Sequence, residues 1–148
     1  MKTTTILGLD FGERRIGVAI SDTGKTLATG LMTLDCKQGP NYMEALGDII
    51  RDEGVEAIVV GYPLRTDGKV VPGAKTEAVD RFIHKLETQF KLPIHREDES
   101  FTSQMAAQSL KTRSKKKRGK RGPDKAEIDR VAACYILQDF LDNHQSAP

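Results

Sequence analysis

Three strand-like segments follow one another at the start of the chain, and the connections between them are very short. Residues 4–10, 15–21 and 26–34 are each rich in β-branched and apolar side chains, a composition that is typical of strands. The two connections contain Gly12 and Gly24, and connections this short join antiparallel neighbours. The chain therefore begins with an antiparallel meander, and the rest of the fold must be built onto that sheet.

The spacing of the apolar residues changes after the third strand, from period two to alternating helical stripes and short apolar runs. Helices are predicted over residues 42–50, 78–90, 102–110 and about 125–142, and strands over residues 57–60 and 92–96. This order predicts an α/β fold with a mixed five-stranded sheet and helices on both faces. It is the order typical of the ribonuclease-H-like fold.

The charge of the chain is concentrated in one segment. The formal net charge is +2, but residues 111–125 carry nine basic residues and one acidic one, which leaves fourteen basic and twenty acidic residues elsewhere. Because Gly and Pro punctuate the segment, we expect a basic loop at about residues 111–123. Charge concentrated in this way predicts a polyanionic partner, a nucleic acid. The candidate phosphate contacts are Lys115, Lys116, Lys117, Arg118, Lys120 and Arg121.

Other classes of protein are disfavoured by composition. No apolar run approaches the roughly 20 residues that span a bilayer, so we expect no membrane association. Cys36 and Cys134 lie far apart without a CxxC spacing, which argues against a disulfide framework or structural zinc and favours a reducing cytoplasm. A chain of 148 residues has the size of a single domain, and we expect a monomer or a weak homodimer.

Acidic residues at two predicted strand ends are candidates for a site. Asp10 ends an apolar strand, where a carboxylate in the sheet centre needs a counter-charge or a metal; the alternative is an Asp that bonds its own turn. Glu97, Asp98 and Glu99 follow another strand. Strand alternation places Glu97 and Glu99 on one side, and the alternative is a solvated loop.

Asp129 lies on the apolar stripe of the last helix. The residues that share this stripe are Ala132, Ala133, Ile136 and Phe140. A carboxylate on a face that packs against the sheet needs a cation. That cation is either a metal or an internal partner such as Arg14 or Arg15.

Carboxylates from the first strand, a later strand end and the last helix together form a ligand set for Mg²⁺ or Mn²⁺. Two such ions about 4 Å apart promote phosphodiester cleavage. Arg14, Arg15 and Arg65 lie in turns near the same sheet end and are further candidate phosphate contacts.

Four segments also resemble a known family, the YqgF (RuvX-like) proteins, which are described as pre-16S rRNA nucleases related to Holliday-junction resolvases. The segments that carry the resemblance are residues 8–22, residues 59–64 with Asp67-Gly68, residues 98–103, and residues 128–133 with Ile136-Leu137-Gln138. They stand in the expected order over nearly the whole chain.

The resemblance implies a ribonuclease-H-like fold, divalent-metal dependence and a role in maturing the 5′ end of small-subunit ribosomal RNA, with an rRNA precursor or ribosomal particle as partner. It maps a catalytic, metal-binding triad onto Asp10, Glu99 and Asp129, and it favours Glu99 over Glu97.

The chain departs from the family pattern at two positions. Ser100 stands where the family usually has Arg, and Ser103 where it has Thr. The contact of that Arg is therefore lost, or it is supplied by Arg96 or by the basic loop.

Three other functions compete with an RNA endonuclease. A junction-resolving DNA nuclease would use the same site, and a nucleic-acid-binding module would use only the charge. The glycine-containing first hairpin also resembles the phosphate loop of sugar-kinase and actin-like ATPases, but those proteins have two domains and more than twice this length.

Overall fold

The central strand of the sheet is β1 (Thr5–Phe11), which pairs antiparallel with β2 (Arg15–Ser21). The third strand, β3 (Ala28–Asp35), pairs antiparallel with β2 and forms one edge. These strands are taken from a computed structural model, which describes residues 4–12, 14–36, 42–62, 74–98 and 125–143. The predicted meander is confirmed.

The second half of the sheet is parallel. The remaining elements are α1 (Tyr42–Glu53), β4 (Val55–Tyr62), α2 (Ala74–Phe90), β5 (Ile94–Asp98) and α3 (Lys125–Asn143). Strand β4 pairs parallel with β1 and β5 pairs parallel with β4, so that the order across the sheet is β3-β2-β1-β4-β5. The mixed five-stranded sheet is confirmed.

The bounds of the two parallel strands that follow the meander differ from the sequence prediction. Strand β4 extends beyond residues 57–60 on both sides, and β5 begins at Ile94 instead of residue 92. Pro93 has no N–H for the ladder, although its carbonyl accepts a hydrogen bond from the Ile58 amide at 2.9 Å. The strand also ends later than predicted, at Asp98, so that Glu97 and Asp98 lie within it. The helix predicted over residues 102–110 and the basic loop lie outside the described residues.

The helices cover both faces of the sheet because side chains alternate along each strand. Leu7, Leu9, Val18 and Ile58 belong to the core shared with α1 and α2. The other core contains Ile6, Ala19, Ala28 and Val59, together with the apolar face of α3, which comprises Ala133, Ile136, Leu137, Phe140 and Leu141.

Helix α3 lies unusually close to the sheet, and glycines on three strands permit this. A Cβ on Gly8 would lie 2.6 Å from the Leu137 Cβ, and one on Gly30 would lie 2.8 Å from the Arg130 Cγ. A Cβ on Gly17 would overlap the backbone carbonyl oxygen of Asp129. Helix α3 is thereby fixed directly over β1, β2 and β3, with its N-terminal part over β2 and β3 and Leu137 over β1. Among the described residues, none of the helices is long and apolar enough to cross a membrane.

Candidate functional site

Asp10 lies near the end of the central strand and is buried, with 8% of its surface exposed. It shares the strand face of Ile6 and Gly8, both of which contact the α3 side of the sheet. Its neighbour on β2 is Gly17, whose Cα is paired with that of Asp10. Because Gly17 has no side chain, the neighbour of Asp10 on β2 presents only backbone atoms toward α3.

Asp129 approaches the same point from the helix. Its backbone carbonyl lies against Gly17, and the stripe that it shares on α3 is buried as predicted, with Ala132, Ala133 and Ile136 all fully buried. Gly17 is the neighbour of Asp10 on the sheet, and Asp129 lies over Gly17 on the helix. The fold therefore brings together two carboxylate residues that are 119 positions apart in the chain.

The Asp129 carboxylate is paired with Arg15. The Arg15 Nε–H donates a hydrogen bond to Asp129 Oδ2 at 2.9 Å, and about a quarter of each side chain is exposed (25% and 26%). An internal salt bridge to Arg14 or Arg15 was one of the two alternatives that the sequence left open, and the structure contains the one to Arg15. A charge-assisted bond of this kind holds a carboxylate in one orientation, which is compatible with a further ligand at the same group.

Glu97 is the acid of β5 that faces α3. The His95 ring contacts the Phe140 ring of α3, with 4.9 Å between their centroids. Alternation along the strand then places Glu97 on the same face, and its Cα neighbour on β4 is Gly61. Glu99, the third member of the predicted triad, lies outside the described residues. Within the described ranges, no three His, Cys, Asp or Glu side chains converge as a metal site would require.

Of the predicted phosphate contacts, the structure describes Arg14 and Arg15. The Arg14 side chain is exposed, and its backbone carbonyl accepts a hydrogen bond from the Cys36 amide at 2.7 Å. Arg15 is its neighbour and carries the bond to Asp129. The remaining candidates lie outside the described residues; they are Arg65, Lys115, Lys116, Lys117, Arg118, Lys120 and Arg121.

Arg96, one of the two alternatives for the contact that Ser100 lacks, lies on the α2 side of the sheet. It lies on the opposite face of β5 from Glu97, with its guanidinium 5.3 Å from the centre of the Tyr62 ring and 3.9 Å from Asp80 Oδ1. The Tyr62 hydroxyl donates a hydrogen bond to the same Asp80 oxygen at 2.7 Å. Burial, followed by Asp80, raises the pKa of Tyr62. These three side chains form a cluster on the α2 side, away from Asp10.

Neither cysteine has the environment of a nucleophile. Burial raises the pKa of the Cys134 thiol, which donates a hydrogen bond to the Ala28 carbonyl at 3.3 Å. Burial, and then the charge of Asp35, raises the pKa of Cys36. Thiols with raised pKa values are poorly ionised at neutral pH and react slowly.

Gly17 is the position of the candidate site that motif reasoning does not single out. An isolated glycine inside a strand of β-branched residues is a signal for close approach of another backbone. That signal is present between Ile16 and Val18, and here the approaching backbone is that of Asp129.

Comparison with known sequences gives a match over nearly the whole chain. The sequence model of a family described as "RuvX: Holliday junction resolvase" matches residues 4–143. A protein of Syntrophus aciditrophicus is 41% identical over 137 residues, which cover 93% of this chain and 87% of the relative. A protein of Chloroflexus aurantiacus is 38% identical over 148 residues, covering 100% and 93%. Both relatives carry the name "Putative pre-16S rRNA nuclease".

Comparison with solved structures identifies the fold. The RuvC of T. thermophilus in complex with a Holliday junction substrate has a TM-score of 0.51 at 13% identity, with 96% of each chain covered. The Fowlpox virus resolvase in complex with Holliday junction DNA has a TM-score of 0.56 at 10% identity, covering 96% of this chain and 99% of the resolvase. At these identities the likeness concerns the fold alone, and it confirms the predicted ribonuclease-H-like fold.

Proposed function

The chain belongs to the RuvX family, and we propose that it is a metal-dependent endonuclease that hydrolyses phosphodiester bonds in structured RNA, with the 5′ end of pre-16S rRNA as its substrate. The observation that carries the proposal is the meeting of Asp10 and Asp129 at Gly17. The names of the relatives support an RNA substrate. The partner is then an rRNA precursor or a ribosomal particle, encountered in the cytoplasm.

The donor chemistry of the site fits a hard divalent cation. Carboxylate oxygens are the preferred protein ligands of Mg²⁺ and Mn²⁺. Asp10 is a buried carboxylate residue beside Gly17, which has no side chain. Asp10, Glu99 and Asp129 would hold the ion. A divalent cation in such a site supplies an activated water and stabilises the leaving oxygen.

The roles of the chain's own basic residues follow from their positions. Arg15 begins β2, one strand away from Asp10, and Arg14 directly precedes it; both can hold a phosphate beside the carboxylates. Arg65 and the basic loop would bind the phosphates on either side, and most of the affinity would come from them. The protein would consist of a single domain and would act as a monomer or a weak homodimer.

Cleavage of two substrates by two variants tests the proposal. The wild type, Asp10→Asn and Asp129→Asn are incubated with precursor rRNA and with a four-way DNA junction, in Mn²⁺ and in chelator. We expect the wild type to cut the RNA only in Mn²⁺, and both variants to lose cutting. Asp139→Asn is the matched control, because Asp139 is exposed on the same helix. Equal cutting by the wild type and both site variants would refute the assigned site.

A DNA resolvase is the second candidate, and the description of the matching family favours it. Cutting two strands of a junction symmetrically requires a two-fold dimer. Mn²⁺-dependent cutting of the DNA junction in preference to the RNA, by a dimer in solution, would establish this alternative. Binding of either nucleic acid without cutting would instead identify a non-catalytic module.

A further inference from the structure

The Arg15 side chain uses only part of its hydrogen-bonding capacity. A guanidinium has five N–H groups, one on Nε and four on the two terminal nitrogens. Within the described residues, Nε–H is the one group of this side chain that forms a hydrogen bond, and it goes to Asp129 Oδ2. With a quarter of the side chain exposed, the terminal nitrogens retain donors for a ligand that arrives from solvent.

The surroundings of Arg15 fix where that ligand would lie. Arg15 shares the α3 face of β2 with Gly17, two residues further along the strand, and Gly17 is the neighbour of Asp10. The cross-strand neighbour of Arg15 on β3 is Asp35. An anion bound by the terminal nitrogens would therefore lie at the edge of the Asp10–Asp129 site.

We propose that Arg15 is a bridge between the two components of the site: its Nε–H holds Asp129 in place while its terminal nitrogens bind a phosphate of the nucleic acid. This inference rests on the proposed function, since it assigns the residue that couples the metal-binding carboxylate to the substrate. Arg15 is a positioning residue for Asp129. The carboxylates that bind metals are themselves held by hydrogen bonds of this kind, whose loss lowers metal affinity.

The bridge requires the geometry of arginine and not only its charge. Lysine is a compact point charge, whereas the guanidinium donates from two sides at once. Arg15→Lys therefore keeps the net charge and removes the simultaneous contacts. Arg81→Lys is the matched control, because Arg81 is exposed on α2, on the other side of the sheet from the site.

Two equilibrium titrations of these variants test the bridge without measuring cleavage. Mn²⁺ affinity is measured by calorimetry without nucleic acid, and the affinity for precursor rRNA is measured by fluorescence anisotropy in chelator. We expect Arg15→Lys to bind Mn²⁺ about tenfold more weakly than the wild type, and to bind the RNA several-fold more weakly. Arg81→Lys should bind both like the wild type.

The other outcomes contradict the bridge in distinguishable ways. Wild-type affinities in Arg15→Lys would mean that only charge matters. A loss of Mn²⁺ affinity alone would reduce Arg15 to a structural tie, and a loss of RNA affinity alone would reduce it to a phosphate contact. If Asp10→Asn binds Mn²⁺ like the wild type, the proposed function itself fails, whereas a failure confined to Arg15→Lys leaves that function intact.

A measurement on the wild type guards against misfolding of the variant. The Arg15 Nε–H resonance is assigned by nuclear magnetic resonance and followed while precursor rRNA is added in chelator. The bridge predicts that this proton remains protected from exchange, because the bond to Asp129 persists in the complex. Loss of protection on RNA binding would show that phosphate pulls Arg15 away from Asp129, and would overturn the bridge.

Discussion

Gly17 joins the two halves of the candidate site at the scale of single residues. Its missing side chain lets the Asp129 carbonyl rest on β2, next to the strand position of Asp10. The requirement for glycine at position 17 is steric and not conformational. Among the described glycines, the one with a positive φ is Gly54 and not Gly17. Any side chain at this position must displace the start of α3.

Gly17→Ala should therefore damage both the fold and the site. The added Cβ overlaps backbone, which cannot rotate away as a side chain can, so we expect the free energy of unfolding to fall by about 1 to 3 kcal/mol. Because α3 shifts, Mn²⁺ affinity should fall as well. Urea unfolding and calorimetric titration of the folded variant measure the two effects.

Gly47→Ala is the control for this substitution. Gly47 lies inside α1, and a Cβ there would lie 3.4 Å from the Phe90 ring, an ordinary contact. Alanine is the better helix former, so this variant should be more stable than the wild type by about 0.5 to 1 kcal/mol. If Gly17→Ala were as stable as Gly47→Ala and bound Mn²⁺ normally, the close approach would have no functional meaning.

At the scale of elements, α3 is tied to the edge of the sheet by one glutamine. The Ala28 amide donates to Gln138 Oε1 at 2.8 Å, and Gln138 Nε2 donates to the Thr26 carbonyl at 2.9 Å. Both contacts lie at the start of the edge strand β3. Gln138 therefore closes the end of the β2–β3 hairpin against the helix.

Removing this tie should loosen the hairpin without moving the acidic residues. We expect Gln138→Ala to lower the free energy of unfolding by about 1 to 2 kcal/mol, because the variant loses both hydrogen bonds to the hairpin and the exposed one to Asp142 Oδ1 within α3. Hydrogen exchange at the Ala28 amide should accelerate. Gln89→Ala is the control, since Gln89 is exposed on α2. Unchanged protection of Ala28 in Gln138→Ala would contradict the role of the tie.

The same helix shows what the sequence can and cannot predict. Its apolar stripe is a local periodicity, so α3 and the inward position of Asp129 follow from spacing alone. The partner of Asp129 does not, because Arg15 is 114 residues away and its proximity depends on how closely the helix approaches the sheet. Alternation could not tell which face of the sheet Glu97 occupies, which the contact of His95 with Phe140 shows. The short β5 run also could not set its own start, which Pro93 delays.

At the scale of the whole molecule, the candidate site and the basic surfaces can be separated by face. The carboxylates lie on the α3 side, and α1 and α2 cover the other side of the sheet. Those helices and the residue after α2 also carry exposed basic side chains, which provide an internal comparison for the basic loop. They are Arg51, Arg81, Lys85 and Lys91.

Neutralising the basic loop should change how salt affects nucleic-acid binding. Each phosphate contact contributes about 0.9 to the slope of log affinity against log salt for duplex DNA. Replacing Lys115, Lys116, Lys117 and Arg118 with Gln should therefore flatten the slope by about 3 to 4, measured by anisotropy from low to high salt in chelator. Replacing Arg51, Arg81, Lys85 and Lys91 with Gln should leave the slope nearly unchanged, because these residues lie on the α1–α2 side, away from the site. Equal flattening by both sets would mean that the nucleic acid responds to net charge and does not dock through the basic loop.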